Sequence, residues 1–362
     1  MPATPARALR ILACCALAVS LVRAATFEEL AARAAAAREA DQVPQAIDLY
    51  RQALQLKPEW SEGWFYLGTL YYDGDQYADA RQSFAQVVKL ADNPAAWAFL
   101  GLCEFETADF PSAQEHLKKS LQHPLPPEID QVARLHEALL LTRLGLFDQA
   151  RHWYQPLVQG GSHDPTLIAG LGLNALGRAA LPREIPPDQR DLAAAAGQAV
   201  IAWMTGNAAA ESAFRALAAA YPNAPGVHAL FGTYLLASNQ EQAAVELRRE
   251  LSINPDNVDA RAMLALLLIQ SGQLAEASTY ARKAAEDRPT SPAAQYAYAQ
   301  TLTDPRQAAE HLEIAERLDP SNFEYHIALA HVYSKMGRHD DARRERQLSI
   351  QLASQSDPRG PS

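Results

Sequence analysis

The amino-acid sequence predicts an all-α chain, a solenoid of antiparallel helix pairs in about nine repeats. Three observations predict it. An Ala recurs near the start of an amphipathic segment, usually with a large apolar residue four positions on and often a Pro some twelve on: Ala46, Ala80, Ala113, Ala150, Ala210, Ala243, Ala277, Ala308 and Ala342, the last followed by Arg346 at the apolar place. Successive spacings are 34, 33, 37, 60, 33, 34, 31 and 34, a period that marks stacked two-helix units. Around each Ala the apolar residues keep helical period, as in Ala46, Tyr50 and Ala53 or Ala80, Phe84 and Val87, which share one helix face at i, i+4 and i+7.

Turn and stop residues recur in phase with the Ala. Gly74, Gly145, Gly272 and Gly337 stand where a first helix must end in a backbone of positive φ. Pro58, Pro222, Pro255, Pro289 and Pro320 stand where second helices must stop. Composition agrees: 362 residues, 48% apolar, 20% charged and 8% aromatic, describe a folded chain. Length alone would suggest two or three globular domains, and the repetition overrides that estimate.

In chain order, residues 1–24 read as a cleaved signal peptide. Arg7 and Arg10 precede the 12-residue apolar run Ile11 to Val22, and Val22-Arg23-Ala24 offers small residues at both positions a signal peptidase reads, so the cut is expected after Ala24. The run is shorter than the roughly 20 residues a membrane span needs. Ala13-Cys14 is not a lipid-anchor signal, because the apolar run lies behind the cysteine. The expected location is periplasmic or secreted. Residues 27–164 then form an N-terminal array of about four repeats. The 60-residue interval leaves room at 165–190 for an extra helix, placed at 165–179, and a Pro-rich break at 181–187. That break reads either as a decayed repeat turned rigid connector or as a hinge or partner-recognition loop. Residues 191–355 form a C-terminal array of about five repeats. The short turn at Leu302-Thr303-Asp304-Pro305 tightens the stacking there, the polar last helix caps the stack, and 356–362 is expected to be disordered.

In its best copy the unit reads Trp64, Leu67, Gly68, Tyr71, Gly74, Tyr77, Ala80 and Phe84, and the next copy gives Trp97, Leu100, Gly101, Phe110, Ala113 and Leu117. On these residues the chain resembles the tetratricopeptide repeat family over roughly residues 27 to 352. The resemblance implies a right-handed superhelical solenoid. It also explains Gly68, Gly101 and Gly232, with Ala34, Ala138, Ala265, Ala299 and Ala330 at matching places, as points where the two helices of a hairpin approach closely.

Charge and motifs limit the function. Removing the leader takes away three Arg and no acid, which moves the formal charge from −10 to −13. No basic cluster exceeds Arg343-Arg344-Glu345-Arg346, so nucleic acid is not an expected partner. Beyond the leader Cys103 is the only cysteine, which leaves no intrachain disulfide and no Cys-based metal site; it reads as a small buried hydrophobe. His136-Glu137 begins like a zinc-protease helix, but Leu140 replaces the second His. His326 and His331 are five apart, which on a helix turns their rings about 140° away from each other; they and His339 read as core-edge or surface residues. Gly170, Gly172 and Gly177 read as helix packing, since no strand precedes them and no Lys-Ser/Thr follows. The expected catalytic set, metal set and cofactor are therefore none, and the chain is read as no enzyme.

The resemblance implies that ligands lie along the concave surface of the first helices. The mapped positions are Glu62, Phe65, Thr69, Tyr72 and Asp73, then Ala98, Leu102, Phe105 and Glu106, then Leu135, Leu139 and Arg143. This set is apolar and aromatic with an acidic margin, while the C-terminal positions Ala229, Thr233, Leu236, Ala262, Leu266 and Ile269 are smaller. The family's chaperone-binding members clamp a carboxylate terminus with Lys and Asn, and neither occurs at these places. The expected partner is a protein or peptide segment, amphipathic or apolar, with or without basic residues, and membrane association is expected only through a partner or an uncleaved signal. The expected function is an exported scaffold or adaptor. An accessory subunit of a cell-envelope or polysaccharide enzyme complex, or a structural spacer whose groove residues merely pack on neighbouring helices, stand as alternatives.

Overall fold

In the computed structural model the described residues run from 25 to 356, and over them the chain forms nineteen α-helices and no strand. The leader expected at 1–24 lies outside the described residues, as does the expected tail apart from Ser356, which ends the last helix. The helices fall into two compact units, one running to Ala133 and one from Arg134.

In the first unit, α1 (Phe27–Glu39) pairs with α2 (Val43–Leu56), α3 (Ser61–Asp73) with α4 (Tyr77–Leu90), and α5 (Pro94–Glu106) with α6 (Phe110–Ser120). Each hairpin also packs on the next through α2 against α3 and α4 against α5. The boundary between units falls within α7 (Pro127–Arg143). The second unit continues with α8 (Phe147–Gln159), α9 (Pro165–Ala175), α10 (Pro187–Met204) and α11 (Ala210–Ala220). Four further hairpins follow: α12 (Val227–Leu235) with α13 (Gln240–Ile253), α14 (Val258–Gln270) with α15 (Leu274–Asp287), α16 (Pro292–Thr301) with α17 (Pro305–Leu318), and α18 (Phe323–Lys335) with α19 (His339–Ser356).

Local sequence sets these boundaries. Thr26 and Glu29 form a capping box on α1, and Asn93, Asp164, Ser291 and Asp304 each cap a helix that opens on Pro, a residue whose missing N–H costs nothing at that position. Between first and second helices one residue takes positive φ, which Gly145, Gly272 and Gly337 supply as expected. Gly74 does not: its φ is −95°, and Asp75 takes the left-handed conformation at 57°. Asp is among the few side chains that tolerate that region.

The large apolar residue four after the marker Ala anchors its hairpin where it occurs; in the last hairpin the exposed Arg346 stands there instead. Tyr50, Phe84, Tyr154 and Phe214 are all fully buried, and each such burial contributes about 1.5–3 kcal/mol. A second recurrent contact lies between hairpins. Pro58, Pro222, Pro255, Pro289 and Pro320, just past second helices, each present a carbonyl that accepts a hydrogen bond from the side chain six residues on. The donors are Trp64 Nε1 at 2.8 Å, His228 Nε2 at 3.0 Å, Arg261 Nη2, Gln295 Nε2 at 3.0 Å and His326 Nε2 at 3.1 Å. Four chemically different side chains thus do one job, satisfying a carbonyl that the helix itself leaves without a partner.

α9 covers Pro165–Ala175 of the helix expected at 165–179, and it packs closely on α10. A Cβ on Gly172 would lie 1.8 Å from the Ala193 carbonyl oxygen, and one on Gly197 would lie 1.9 Å from that of Ile168. The Pro-rich segment between α9 and α10 is packed down. Leu181 and Ile185 are buried, and Glu184 accepts from the Leu181 N–H at 2.9 Å and from Arg143 Nε at 2.9 Å.

Candidate functional site

Phe65, Thr69 and Tyr72 stand at i, i+4 and i+7 on α3 and therefore share one face of it. Phe65 and Tyr72 are half-buried, and both rings meet Phe99 of α5, at 6.0 and 5.2 Å between centroids. Phe99 in turn stacks on the fully buried Phe84, 5.0 Å away and nearly parallel, and Phe65 touches Phe84 edge-on at 5.7 Å. The result is one aromatic patch, Phe65–Phe99–Tyr72, whose rings are held from beneath by a core residue. Sequence spacing does not single out Phe99, because it falls between the mapped positions; its partner Phe84, the anchor of the preceding hairpin, is the signal that could have found it. Beside the patch, Thr69 Oγ1 donates to the Tyr66 carbonyl at 2.9 Å, and the Arg38 guanidinium lies 3.6 Å over the Tyr66 ring.

Carboxylates border the patch. Glu62 and Asp73 are exposed near the two ends of α3, and Glu106 closes α5. Burial first, then Cys103 and the charges of Glu106, Asp73 and Asp75, push the Tyr72 phenol up to about 12, so it is neutral and able to donate a hydrogen bond at physiological pH. Tyr77, edge-on to Tyr72 at 5.5 Å, donates its hydroxyl to Asp75 at 2.6 Å.

Several expected groove residues are core instead. Leu102 and Phe105 are 2% and 4% exposed in the first unit, and Leu135 and Leu139 are 9% and 2% exposed in the second. Adjoining helices cover such positions: Leu139 Cδ2 lies 2.5 Å from where a Cβ on Gly170 of α9 would stand. Arg143 is partly exposed, with its Nε committed to Glu184. The expected residues that remain accessible in the first unit are therefore Glu62, Phe65, Thr69, Tyr72 and Asp73, with Glu106 partly so.

Two ionic clusters lie elsewhere. In the first unit, Glu104, 2% exposed, accepts from His116 Nδ1 at 2.6 Å and lies 3.4 Å from Arg81, which also reaches Asp109 at 2.6 Å. Trp97 packs on the same imidazole at 5.0 Å, and Lys119 Nζ stands 3.6 Å over the indole. Every charge there has a partner, as buried charges require. In the second unit, Glu316, His326 and Glu345 bring one ligand atom each within 4.8 Å of the others, the one group of metal-ligating type found among the described residues. The last repeats also carry a cleft of about 410 Å³ lined by Tyr296, Gln300, Ile327 and His331.

Comparison with known proteins gives a family match. Family models for the tetratricopeptide repeat match residues 37–103, 235–301 and 293–357, together more than half of the chain. No curated protein sequence matches it. Among solved structures, MamA (residues 41 to the end) from Desulfovibrio magneticus RS-1 is similar at 17% identity and a TM-score of 0.39, covering 46% of this chain and 97% of that one. A second MamA, AMB-1, gives 22% identity and a TM-score of 0.36 over 44% of this chain and 97% of that one. A chain of the APC/C hetero-tetramer Cut9–Hcn1 gives 15% identity and a TM-score of 0.42, covering 90% of this chain and 66% of that one.

Proposed function

The chain belongs to the tetratricopeptide repeat family, and from that premise we propose that it is a protein-interaction scaffold that holds a partner segment on the aromatic face of α3 and α5. The observation that carries this reading is the patch of Phe65, Phe99 and Tyr72, half-exposed yet fixed from beneath by Phe84. Rigid aromatic anchors lose little conformational freedom on binding and supply large contact areas, which is why they dominate interface energetics. The carboxylates of Glu62, Asp73 and Glu106 around it favour a segment that is apolar or amphipathic and carries Lys or Arg.

The scaffold acts by binding and not by catalysis. The accessory role beside a cell-envelope enzyme remains a special case of it, in which the bound segment belongs to that enzyme. A pure spacer differs in outcome, since it makes no use of the patch. On the leader's charged start, apolar run and Val22-Arg23-Ala24 ending, we place the scaffold in the periplasm or outside the cell; N-terminal sequencing of the mature protein beginning at Ala25 is the expected result, and a retained Met1 would refute it.

Substitution separates the readings. Glu62→Lys and Asp73→Lys change exposed positions and leave the fold intact, and each is expected to weaken partner binding severalfold. Binding that ignores both reversals, together with Tyr72→Phe and Phe65→Leu, would favour the spacer.

A further inference from the structure

We propose that Glu316, His326 and Glu345 form a binding site for a divalent transition-metal cation, with zinc the ion best matched to one imidazole and two carboxylates. The three residues come from α17, α18 and α19, so only the folded last repeats assemble them.

The argument starts from the ring of His326, which is 2% exposed. Its Nε2 lies 3.1 Å from the Pro320 carbonyl oxygen, which can only accept, so Nε2 carries the proton. Its Nδ1 lies 2.8 Å from Glu345 Oε2. A neutral ring would then aim a lone pair at a carboxylate, so the pair must share a positive charge, either a second ring proton or a bound cation. A second proton on the ring meets that need for Glu345 alone. Glu316 brings another carboxylate within 4.8 Å and makes no hydrogen bond or ion pair with any described residue. With imidazolium and two carboxylates the cluster keeps one negative charge in a largely buried place; a divalent ion with neutral imidazole brings it to zero. Arg344 Nε approaches Glu345 Oε1 at 3.4 Å from the solvent side and leaves Glu316 uncompensated.

The molecule contains its own control. His228 repeats the arrangement two nitrogens for two acceptors, with Nδ1 2.6 Å from Glu246 and Nε2 3.0 Å from the Pro222 carbonyl, but among the described residues no third ligand group converges on it. The second oxygen of Glu246 accepts instead from Gln242 Nε2 at 2.8 Å. There a proton completes the set; at His326 the added carboxylate makes the set that of a metal site. The Nε2–H···O=C bond to Pro320 is also the outer contact that ligating imidazoles ordinarily make, fixing the tautomer and turning Nδ1 toward the two carboxylates. Glu316 is only half-buried, which gives the ion a way in and leaves a coordination position for water.

The test is calorimetric titration of the metal-stripped protein with zinc chloride, paired with thermal melts. One zinc per chain and a raised melting temperature are expected. Glu316→Gln should weaken binding about 10-fold or more without altering the melt of the metal-free protein. His326→Gln should abolish it and still fold, because Gln295 makes the same bond to Pro289 in the preceding repeat. His228→Gln should leave zinc binding unchanged. Absence of zinc uptake by the wild-type chain, or uptake that survives both Glu316→Gln and His326→Gln, would overturn the proposal.

Discussion

Cys103 shows what the repeat does to a reactive side chain. It is fully buried beneath the aromatic patch, and burial first, then the neighbouring Glu104 charge, push its thiol up to about 12. A thiol in that state is almost entirely protonated at pH 8, and the thiolate is the reactive form. Ellman's reagent should therefore leave Cys103 unmodified in the native protein and react fully once denaturant is added; native-state labelling within minutes would contradict the packing described. Phe84 can be tested at the same scale. Its ring fills the hairpin and supports Phe65 and Phe99, so Phe84→Ala should cost about 3–5 kcal/mol in denaturant unfolding and loosen the patch with it. Phe65, Tyr72 and their acidic neighbours stand at positions that the family resemblance maps, and the structure leaves them accessible. Phe99 was not, because the register names positions and not the ring stacking that turns a half-buried Phe into the centre of a patch. Leu102, Phe105, Leu135 and Leu139, mapped in the same way, are buried, because a position on the inner face of a helix is covered whenever the neighbouring helix lies close enough.

Helices were more legible than side-chain roles. The Ala period, the N-capping Asn, Asp and Ser residues and the Pro stops locate nearly every hairpin, because they act within a few residues of themselves. Asp75 in place of Gly74 marks the limit of that local reading. What spacing could not show are contacts across hairpins, such as the proline carbonyls and the Glu316–His326–Glu345 group, whose members lie on three helices. The junction of α9 and α10 yields two predictions. Gly172→Ala drives a methyl into the Ala193 carbonyl, a backbone atom that cannot step aside, and should destabilise the second unit by about 3 kcal/mol or more. The neighbouring connector responds to acid. Burial raises the Glu184 carboxyl, but the Leu181 N–H and the Arg143 guanidinium outweigh it and hold the group below its ordinary value. A depressed folded value means that the contribution is complete above about pH 4.3 and drains away as pH falls through the folded value. Because the pair is about a third exposed, solvent screening keeps the effect near 1 kcal/mol or less. Hydrogen exchange should show residues 176–186 opening faster at pH 3 than at pH 7, after correction for intrinsic rates, and Glu184→Gln should bring the pH 7 rate toward the acid one.

Across the whole molecule the formal charge is −10, with 42 acidic and 32 basic side chains. A partner drawn to an acid-bordered aromatic patch gains much of its encounter rate from that field, so its association should slow as salt rises from 50 to 500 mM while the aromatic contacts set how long it stays. The claim on which the functional reading stands is that this patch touches another protein in the cell. A photoreactive p-azidophenylalanine in place of Tyr72, irradiated in living cells that are then fractionated, with crosslinked products identified by mass spectrometry, tests it most directly. One dominant envelope protein, joined through an apolar or amphipathic segment bearing Lys or Arg and lost with Asp73→Lys, is the expected product. Diffuse products, or the same products from a probe placed at Leu274 on an exposed second helix, would contradict it.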